Sequence, residues 1–346
     1  MHKEVILVTG ACGRIGSSLV KRLGKHYKIV GFELLKALYA SSSEELVPMD
    51  ISSEESVHQA FEHILHFYGS RIKAVVHLAA HYSFSHTGYD KYQTITIEGT
   101  KRLLKALRKF HVEQFLFSST MLVHAPTAPG IKITEHSPLL PKWAYPQSKV
   151  TTEKIIQEER RNIPSVILRI AGVYDDLCHS IPIANQIQRI YEKKWEAHLF
   201  AGNIHHGASF LHMEDLVEAI CLTIHKKAAL PEETVLLLGE KNTLSYAELQ
   251  NQISSLLFGH PLKTFSIPKP LAKAGAWIQT QILRKKQFIQ PWMIDFADDH
   301  YELDISKAEH LLSWKPRKNI KETLPLMVQA LLQEPYKWYK TNGLSS

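Results

Sequence analysis

A chain of 346 residues with 45% hydrophobic and 22% charged side chains has the composition of an ordinary globular protein, which excludes a disordered tail and a collagen-like repeat. Lys and Arg exceed Asp and Glu by 41 − 34 = 7, but the basic residues are scattered and show no stripe interleaved with aromatics, so a nucleic-acid partner is not expected. Cys12, Cys178 and Cys221 are too few and too far apart for a disulfide framework or a zinc ligand set, and a reducing cytoplasm is the expected location.

The polar start Met1-His2-Lys3-Glu4 runs straight into an apolar strand at residues 5–8, without the long apolar core of a secretion signal. From there β-branched runs alternate with helical patterns: a helix at 15–23, a strand at 28–32, a helix at 54–66, a strand at 74–78, a helix at 94–110 and a strand at 114–118. The runs are continuously apolar, as strands covered by helices on both faces must be, which predicts a parallel sheet. Residues 126–141, rich in proline, read as a surface loop, and a helix opens at Pro146, where the missing N–H costs nothing. A strand follows at 166–170, then a helix at 184–195, a loop holding Gly202 and Gly207, a helix at 214–225 and a strand at 234–238. Ser245 and Glu248 form a capping box that starts another helix. The apolar stretch 265–283 is broken by Pro268, Lys269, Pro270 and Lys273, so no membrane span is expected. The fold class is α/β: a Rossmann doubly wound parallel sheet, expected over residues 1–174 plus about 208–239. A smaller, mostly C-terminal substrate-binding domain is expected over about 175–207 plus 240–346.

Thr-Gly-Ala-Cys-Gly-Arg-Ile-Gly at 9–16 follows the first strand and opens the first helix, the context a phosphate-cradling loop requires. Gly10 allows the tight turn, Gly13 lets backbone approach a pyrophosphate, and Gly16 permits close packing of helix on strand. Glu33 ends the second strand, 23 residues after Gly10, where a carboxylate can accept hydrogen bonds from ribose hydroxyls and repels a 2′-phosphate. NAD is therefore favoured over NADP, with Lys36 close by as a counterweight. Asp50 can bond an adenine amino group or serve as a turn residue. Tyr145 and Lys149, at i and i+4, share one helix face, and a neighbouring ammonium together with the nicotinamide charge is expected to lower the phenol pKa so that a proton can be exchanged near neutral pH.

With these residues in view the chain resembles an extended short-chain dehydrogenase/reductase of the NAD-dependent epimerase/dehydratase family. The likeness is carried by the glycine loop, Asp50-Ile51, His77-Leu78-Ala79-Ala80, Gly99-Thr100, Phe117-Ser118-Ser119-Thr120, Tyr145 with Lys149, Leu168-Arg169, residues 210–215 and, near the end, Asp304-Ile305-Ser306-Lys307-Ala308 with Trp314-Lys315-Pro316. The resemblance implies that Thr120, 25 residues before Tyr145, is the catalytic hydroxyl beside Tyr145 and Lys149. It also implies a cofactor surface made by Gly10, Gly13, Arg14, Ile15, Gly16, Glu33, Asp50, Ile51, Leu78, Ala79, Ala80, Tyr145, Lys149, Ile170 and Val173. Thr96 stands in place of the family's usual Asn, Val123-His124-Ala125 in place of Val-Tyr-Gly, and Asp175-Asp176 in place of Gly-Pro, all near the substrate side.

The implied reaction is oxidation or reduction of a secondary alcohol or ketone, with a nucleotide-linked sugar as the family-typical substrate. Residues 267–271 with Ala272, Ala276, Trp277 and Ile278 resemble steroid- and flavonol-type relatives, which gives an apolar ring substrate as the alternative. A non-catalytic NAD-binding protein is the third reading. His205, His206 and His212 lack a ligand pattern, so no metal is expected. The clusters His225-Lys226-Lys227 and Arg284-Lys285-Lys286 read as solvated helix ends. A homodimer through the helices starting near Thr94 and Pro146 is a family expectation; Leu103, Leu107, Ile155 and Ile156 would permit it and would equally fill a core.

Overall fold

Six apolar runs and a seventh, edge strand form one parallel sheet in the computed structural model, which describes residues 3–35, 45–83, 88–278 and 289–344. Lys36, residues 279–283 of the apolar stretch and Arg284-Lys285-Lys286 lie outside the described residues. The strands are β1 (Val5–Thr9), β2 (Lys28–Glu33), β3 (Glu45–Pro48), β4 (Ala74–His77), β5 (Phe115–Thr120), β6 (Ser165–Ile170) and β7 (Glu233–Leu238). Their spatial order is β3-β2-β1-β4-β5-β6-β7, with registers such as Val5 opposite Lys28 and Ile6 opposite Ala74. β3 escapes the sequence pattern because it is short and ends in Pro48; at the edge of a sheet the missing N–H takes no ladder bond away.

Along β1, Ile6 and Val8 enter one core while Leu7 enters the other, the two-residue alternation of a strand buried on both faces. On the first face α1 (Arg14–Leu23) packs Leu19 and Leu23 with Leu216 and Ile220, which lie on a later helix. On the second face α2 (Glu54–Tyr68), α3 (Glu98–Leu107) and α4 (Ala144–Glu159) supply Phe61, Ile64, Leu103, Leu107, Ile155 and Ile156. Those last four are core residues, so they are not available as an apolar face for a second copy.

The helix expected over 94–110 has a different start: Tyr92–Ile97 is wound as a π-helix before α3 continues, and this puts Thr96 at the wide turn. After β6, Gly172–Tyr174 and Phe210–His212 pair as a short parallel ladder, and α5 (Ile181–Tyr191) lies between them in sequence. α6 (Met213–His225) leads back to β7, and α7 (Tyr246–Phe258) begins at Ser245 with the capping box intact. A third core joins Ile183 and Ile187 to Leu249, Ile253, Leu324 and Met327. None of the described helices is long and apolar enough to cross a membrane.

The strand order reverses between β1 and β4: the chain leaves β1 toward β2 and leaves β4 toward β5. Loops at the carboxyl ends of these two strands therefore diverge and open a crevice, the position where sheets of this kind take ligands.

Candidate active site

The glycine loop forms one wall of that crevice. Gly10 has φ +71°, and a Cβ built on it would sit 3.1 Å from the backbone N of Ala79, so the β1 and β4 loops touch backbone to backbone there. A Cβ on Gly16 would lie 2.2 Å from the Gly10 carbonyl oxygen, which leaves room for hydrogen alone. Gly13 is the N-cap of α1 and brings no side-chain cap, so the first turn keeps N–H donors and the positive end of the helix for an anion. Glu33 accepts from the Cys12 N–H (3.1 Å) and the Leu34 N–H (2.9 Å), which anchors its carboxylate at the rim of the loop. These features fit a dinucleotide: a side-chain-free cradle for the pyrophosphate and a fixed carboxylate one strand away.

Two residues placed on the cofactor surface from the sequence have other partners here. Arg14 donates to the Thr341 carbonyl at 2.7 Å, linking the loop to the C-terminal helix Pro335–Thr341. Asp50 Oδ1 accepts from the N–H (2.9 Å) and hydroxyl (2.7 Å) of Ser52, a turn arrangement. Ile51 packs in the core close to Gly99, whose added Cβ would stand 3.1 Å from its side chain. Ile170 ends β6 and Val173 lies in the adjoining short strand.

His77 fixes the ends of β1 and β4. Thr9 Oγ1 accepts the N–H groups of Leu78 (3.2 Å) and Ala79 (3.1 Å), so its own proton goes to His77 Nδ1 at 2.7 Å. Thr100 gives its proton to the Thr96 carbonyl (2.6 Å) and so receives the Nε2–H of His77 at 2.9 Å. The ring is thus the neutral Nε2–H tautomer; burial, and then the charge of Lys149, push its pKa down to about 3. Leu78, Ala79 and Ala80 leave this anchor as the second wall of the crevice.

Thr120, Tyr145 and Lys149 come together beyond it. Thr120 closes β5, and α4 starts at Ala144, so Tyr145 lies in its first turn and Lys149 one turn on. The Tyr145 phenol is raised above its ordinary pKa by burial, with the nearby Thr120 hydroxyl pulling it back. In the chain alone, burial outweighs any pull of the Lys149 charge on the phenol. Burial lowers the lysine, to about 7, against the pull of Glu153 one turn further along. Lys149 Nζ donates to the Ser118 carbonyl at 2.7 Å and stands 4.6 Å from the Phe117 ring centre and 5.8 Å from that of Tyr145. In this pair the phenol holds a proton and the amine is poised near neutrality, so any charge brought beside them shifts both.

Around Tyr145 the walls are aromatic. Tyr82 meets it edge-on at 4.8 Å, Trp143 at 5.5 Å, and Trp143 in turn contacts Trp292 at 5.5 Å. A cavity of about 110 Å³ adjoins them, lined by Leu122, Lys142, Trp143, Ala208, Tyr246, Phe296, Asp299 and Tyr301. Lys142 Nζ bonds both oxygens of Asp299 (2.7 and 2.8 Å), joining the lead-in to α4 with the C-terminal part of the chain. The sequence reading missed Tyr82, Trp143, Trp292, Phe296 and the Lys142–Asp299 pair; no local pattern marks residues so distant in sequence.

The three departures have structural partners. Thr96 Oγ1 accepts the His81 N–H at 3.0 Å. His124 is buried between Arg169 and Ser137. Asp175 pairs with His179, while Asp176 pairs with His212 and Lys318. His212 Nδ1 accepts the Glu214 N–H as the cap of α6, and His206 Nδ1 bonds the Asp298 carbonyl at 2.6 Å, so both carry structural bonds.

Comparison with known proteins agrees with this architecture. UDP-glucose 4-epimerase of Streptomyces lividans is 25% identical over 293 residues, covering 76% of this chain and 84% of that protein. The decarboxylating sterol-4-alpha-carboxylate 3-dehydrogenase of Schizosaccharomyces pombe is 21% identical over 340 residues, covering 93% and 96%. The crystal structure of dTDP-glucose 4,6-dehydratase from Bacillus anthracis in complex with NAD superposes with a TM-score of 0.71 at 22% identity, over 98% of this chain and 99% of that one. The model of the NAD dependent epimerase/dehydratase family matches residues 6–239, and the chain belongs to that family.

Proposed function

We propose that this protein is an NAD-dependent oxidoreductase that interconverts a secondary alcohol and a ketone on a nucleotide-linked sugar, the substrate class named for the epimerase and dehydratase it is similar to. The observation that carries the reading is Tyr145 in the first turn of α4, beside the Thr120 hydroxyl and with Lys149 one turn on, at the carboxyl end of the sheet where the glycine loop opens. Thr120 holds the substrate oxygen, Tyr145 exchanges its proton, and Lys149 leaves the Ser118 carbonyl to hold a ribose hydroxyl and set the charge beside the phenol. NAD, when bound, supplies the hydride acceptor. Glu33, held at the end of β2, accepts from the ribose hydroxyls and disfavours a 2′-phosphate.

A second reading, an apolar ring substrate, is supported by the aromatic walls around Tyr145 and by similarity to the sterol dehydrogenase. Purified protein is offered NAD with a panel of nucleotide sugars and cyclic alcohols; NADH fluorescence reports net oxidation, and chromatography of the products reports redox-neutral turnover in which the hydride is returned. Turnover confined to the apolar panel overturns the sugar reading. Tyr145→Phe is expected to reduce turnover by about 10²- to 10⁴-fold, and unchanged turnover moves the proton transfer elsewhere.

Residues 1–174 with about 208–239 form, in this reading, the cofactor half, and the remainder the substrate half. A cytoplasmic setting is supported by the three free cysteines. A homodimer through α3 and α4 would have to use their polar outer residues, such as Lys101, Lys105 and Lys154, and sedimentation of the purified chain tests it.

A further inference from the structure

Beneath the proposed catalytic residues runs a buried polar network that the reaction scheme leaves unused. Arg169 stands opposite Ser119 in the β5–β6 register, as Ile170 stands opposite Thr120. Its Nη2 donates to Glu153 Oε2 at 2.7 Å and its Nε to Oε1 at 3.3 Å, and Ser119 Oγ donates to the same Oε1. Glu153 is one turn beyond Lys149 on α4. The remaining amino group, Nη1, donates to the Glu135 carbonyl at 3.0 Å and to His124 Nε2 at 3.1 Å.

That last bond fixes the imidazole. Arg169 has only protons to offer, so His124 Nε2 is bare and Nδ1–H donates to the Ser137 carbonyl at 3.1 Å. The ring is fully buried, and burial together with the Arg169 charge pushes its pKa down to about 4, so the neutral form persists at neutral pH. Main-chain bonds flank it on both sides: Ala125 N–H to the Pro138 carbonyl (2.9 Å) and Leu140 N–H to the Val123 carbonyl (3.0 Å). The segment leaving Thr120 is thereby zipped to the segment that enters α4 at Trp143 and Tyr145.

We infer that His124 is a positioning residue: as a neutral Nδ1–H ring it joins the strand end at Thr120 to the approach to Tyr145 and completes the Arg169–Glu153 pair under Lys149. This rests on the catalytic reading of those three residues. A tyrosine, the residue the family resemblance leads one to expect here, would accept and donate through one oxygen at the tip of its ring, whereas imidazole accepts on one edge and donates on the other, as the separate positions of Arg169 and the Ser137 carbonyl require. The groups facing Lys149 itself are Glu153 and Tyr145 on its own helix, His77 on β4 and the Ser118 carbonyl on β5. Of these Glu153 is the one that Arg169, and so His124, holds in place.

The test reads Lys149 directly in the full chain. Lysine is labelled with ¹³C at Cε, the Lys149 signal is assigned by its loss in Lys149→Met, and its titration midpoint is compared among variants. His124→Phe is expected to move the midpoint by about half a pH unit or more, because Arg169 loses an acceptor and Glu153 its fixed place. His124→Gln, whose amide can accept from Arg169 and donate to Ser137, is expected to restore it. A wild-type midpoint in His124→Phe overturns the inference, as does an equal displacement in both variants, which is the mark of packing alone. Should His124→Phe not fold, ¹⁵N spectra of histidine-labelled wild type decide: a protonated Nδ1 and bare Nε2 support the role, and a protonated Nε2 overturns it. Neither readout needs turnover, so failure of the catalytic reading, seen in Tyr145→Phe, registers separately.

Discussion

Replacing Lys149 by methionine should make the protein more stable and inactive at once. The lysine is 3% exposed, and burial lowers its pKa from 10.5 to about 7. A lowered amine pKa means that the unfolded chain binds more protons than the native state between those values, so wild-type stability rises with pH across that window. The difference of about 3.5 pH units, at about 1.36 kcal/mol each, places a cost of about 5 kcal/mol on the native state below pH 7. Methionine is close in length and has no charge to desolvate, but it leaves the Ser118 carbonyl without its donor, which returns about 1–3 kcal/mol. The variant should therefore exceed wild type by about 2–4 kcal/mol at pH 6, with the gap shrinking by about 1.4 kcal/mol per unit as pH rises from 7 toward 10. Urea unfolding of both proteins at pH 6, 7, 8 and 9, followed by tryptophan fluorescence, measures it. A variant less stable than wild type at pH 6, or a gap that ignores pH, refutes the argument that the amine is held at a desolvation cost for its function.

Gly16→Val forces a side chain into the 2.2 Å approach to the Gly10 carbonyl; overpacking of about 1–3 kcal/mol should reshape the loop and weaken NAD binding by tenfold or more in calorimetry, and wild-type affinity would count against the cradle. Glu33→Ala should erode the preference for NAD over NADP, measured as the ratio of their dissociation constants, and a wild type that already prefers NADP contradicts the assignment. Arg169→Met leaves Glu153 buried without its partner and should cost about 3–5 kcal/mol in unfolding free energy; a loss below about 1 kcal/mol would show that Glu153 finds another partner. Thr120→Val keeps the shape but not the hydroxyl, so turnover should fall while NAD affinity holds, and a parallel loss of both would point to a structural role for Thr120.

The sheet was legible because burial on both faces writes its strands as continuous apolar runs, and because a glycine triplet between strand and helix has few other uses. β3 was not, since its four residues end in a proline tolerated only at an edge. Tyr145 and Lys149 could be paired from spacing alone, yet their protonation could not: burial acts on both groups and is set by Phe117, Trp143 and Tyr82 from other segments. At Asp50 and Arg14 a family position is kept and the side chain also bonds a neighbour, the Ser52 N–H or the Thr341 carbonyl, partners that spacing does not reveal. Glu153 carried a usable signal, an acidic residue one turn after Lys149 on the face that Tyr145 begins. Arg169 on β6 and His124, beyond the end of β5, complete that network, and it is the β5–β6 register that sets Arg169 beside Ser119.

A crystal structure of the chain grown with NAD tests the whole account in one observation. The pyrophosphate is expected on the first turn of α1, the nicotinamide ring against Tyr145, and Lys149 turned from the Ser118 carbonyl to a ribose hydroxyl. A nicotinamide lying away from Tyr145, with Lys149 still bonded to Ser118, would contradict it.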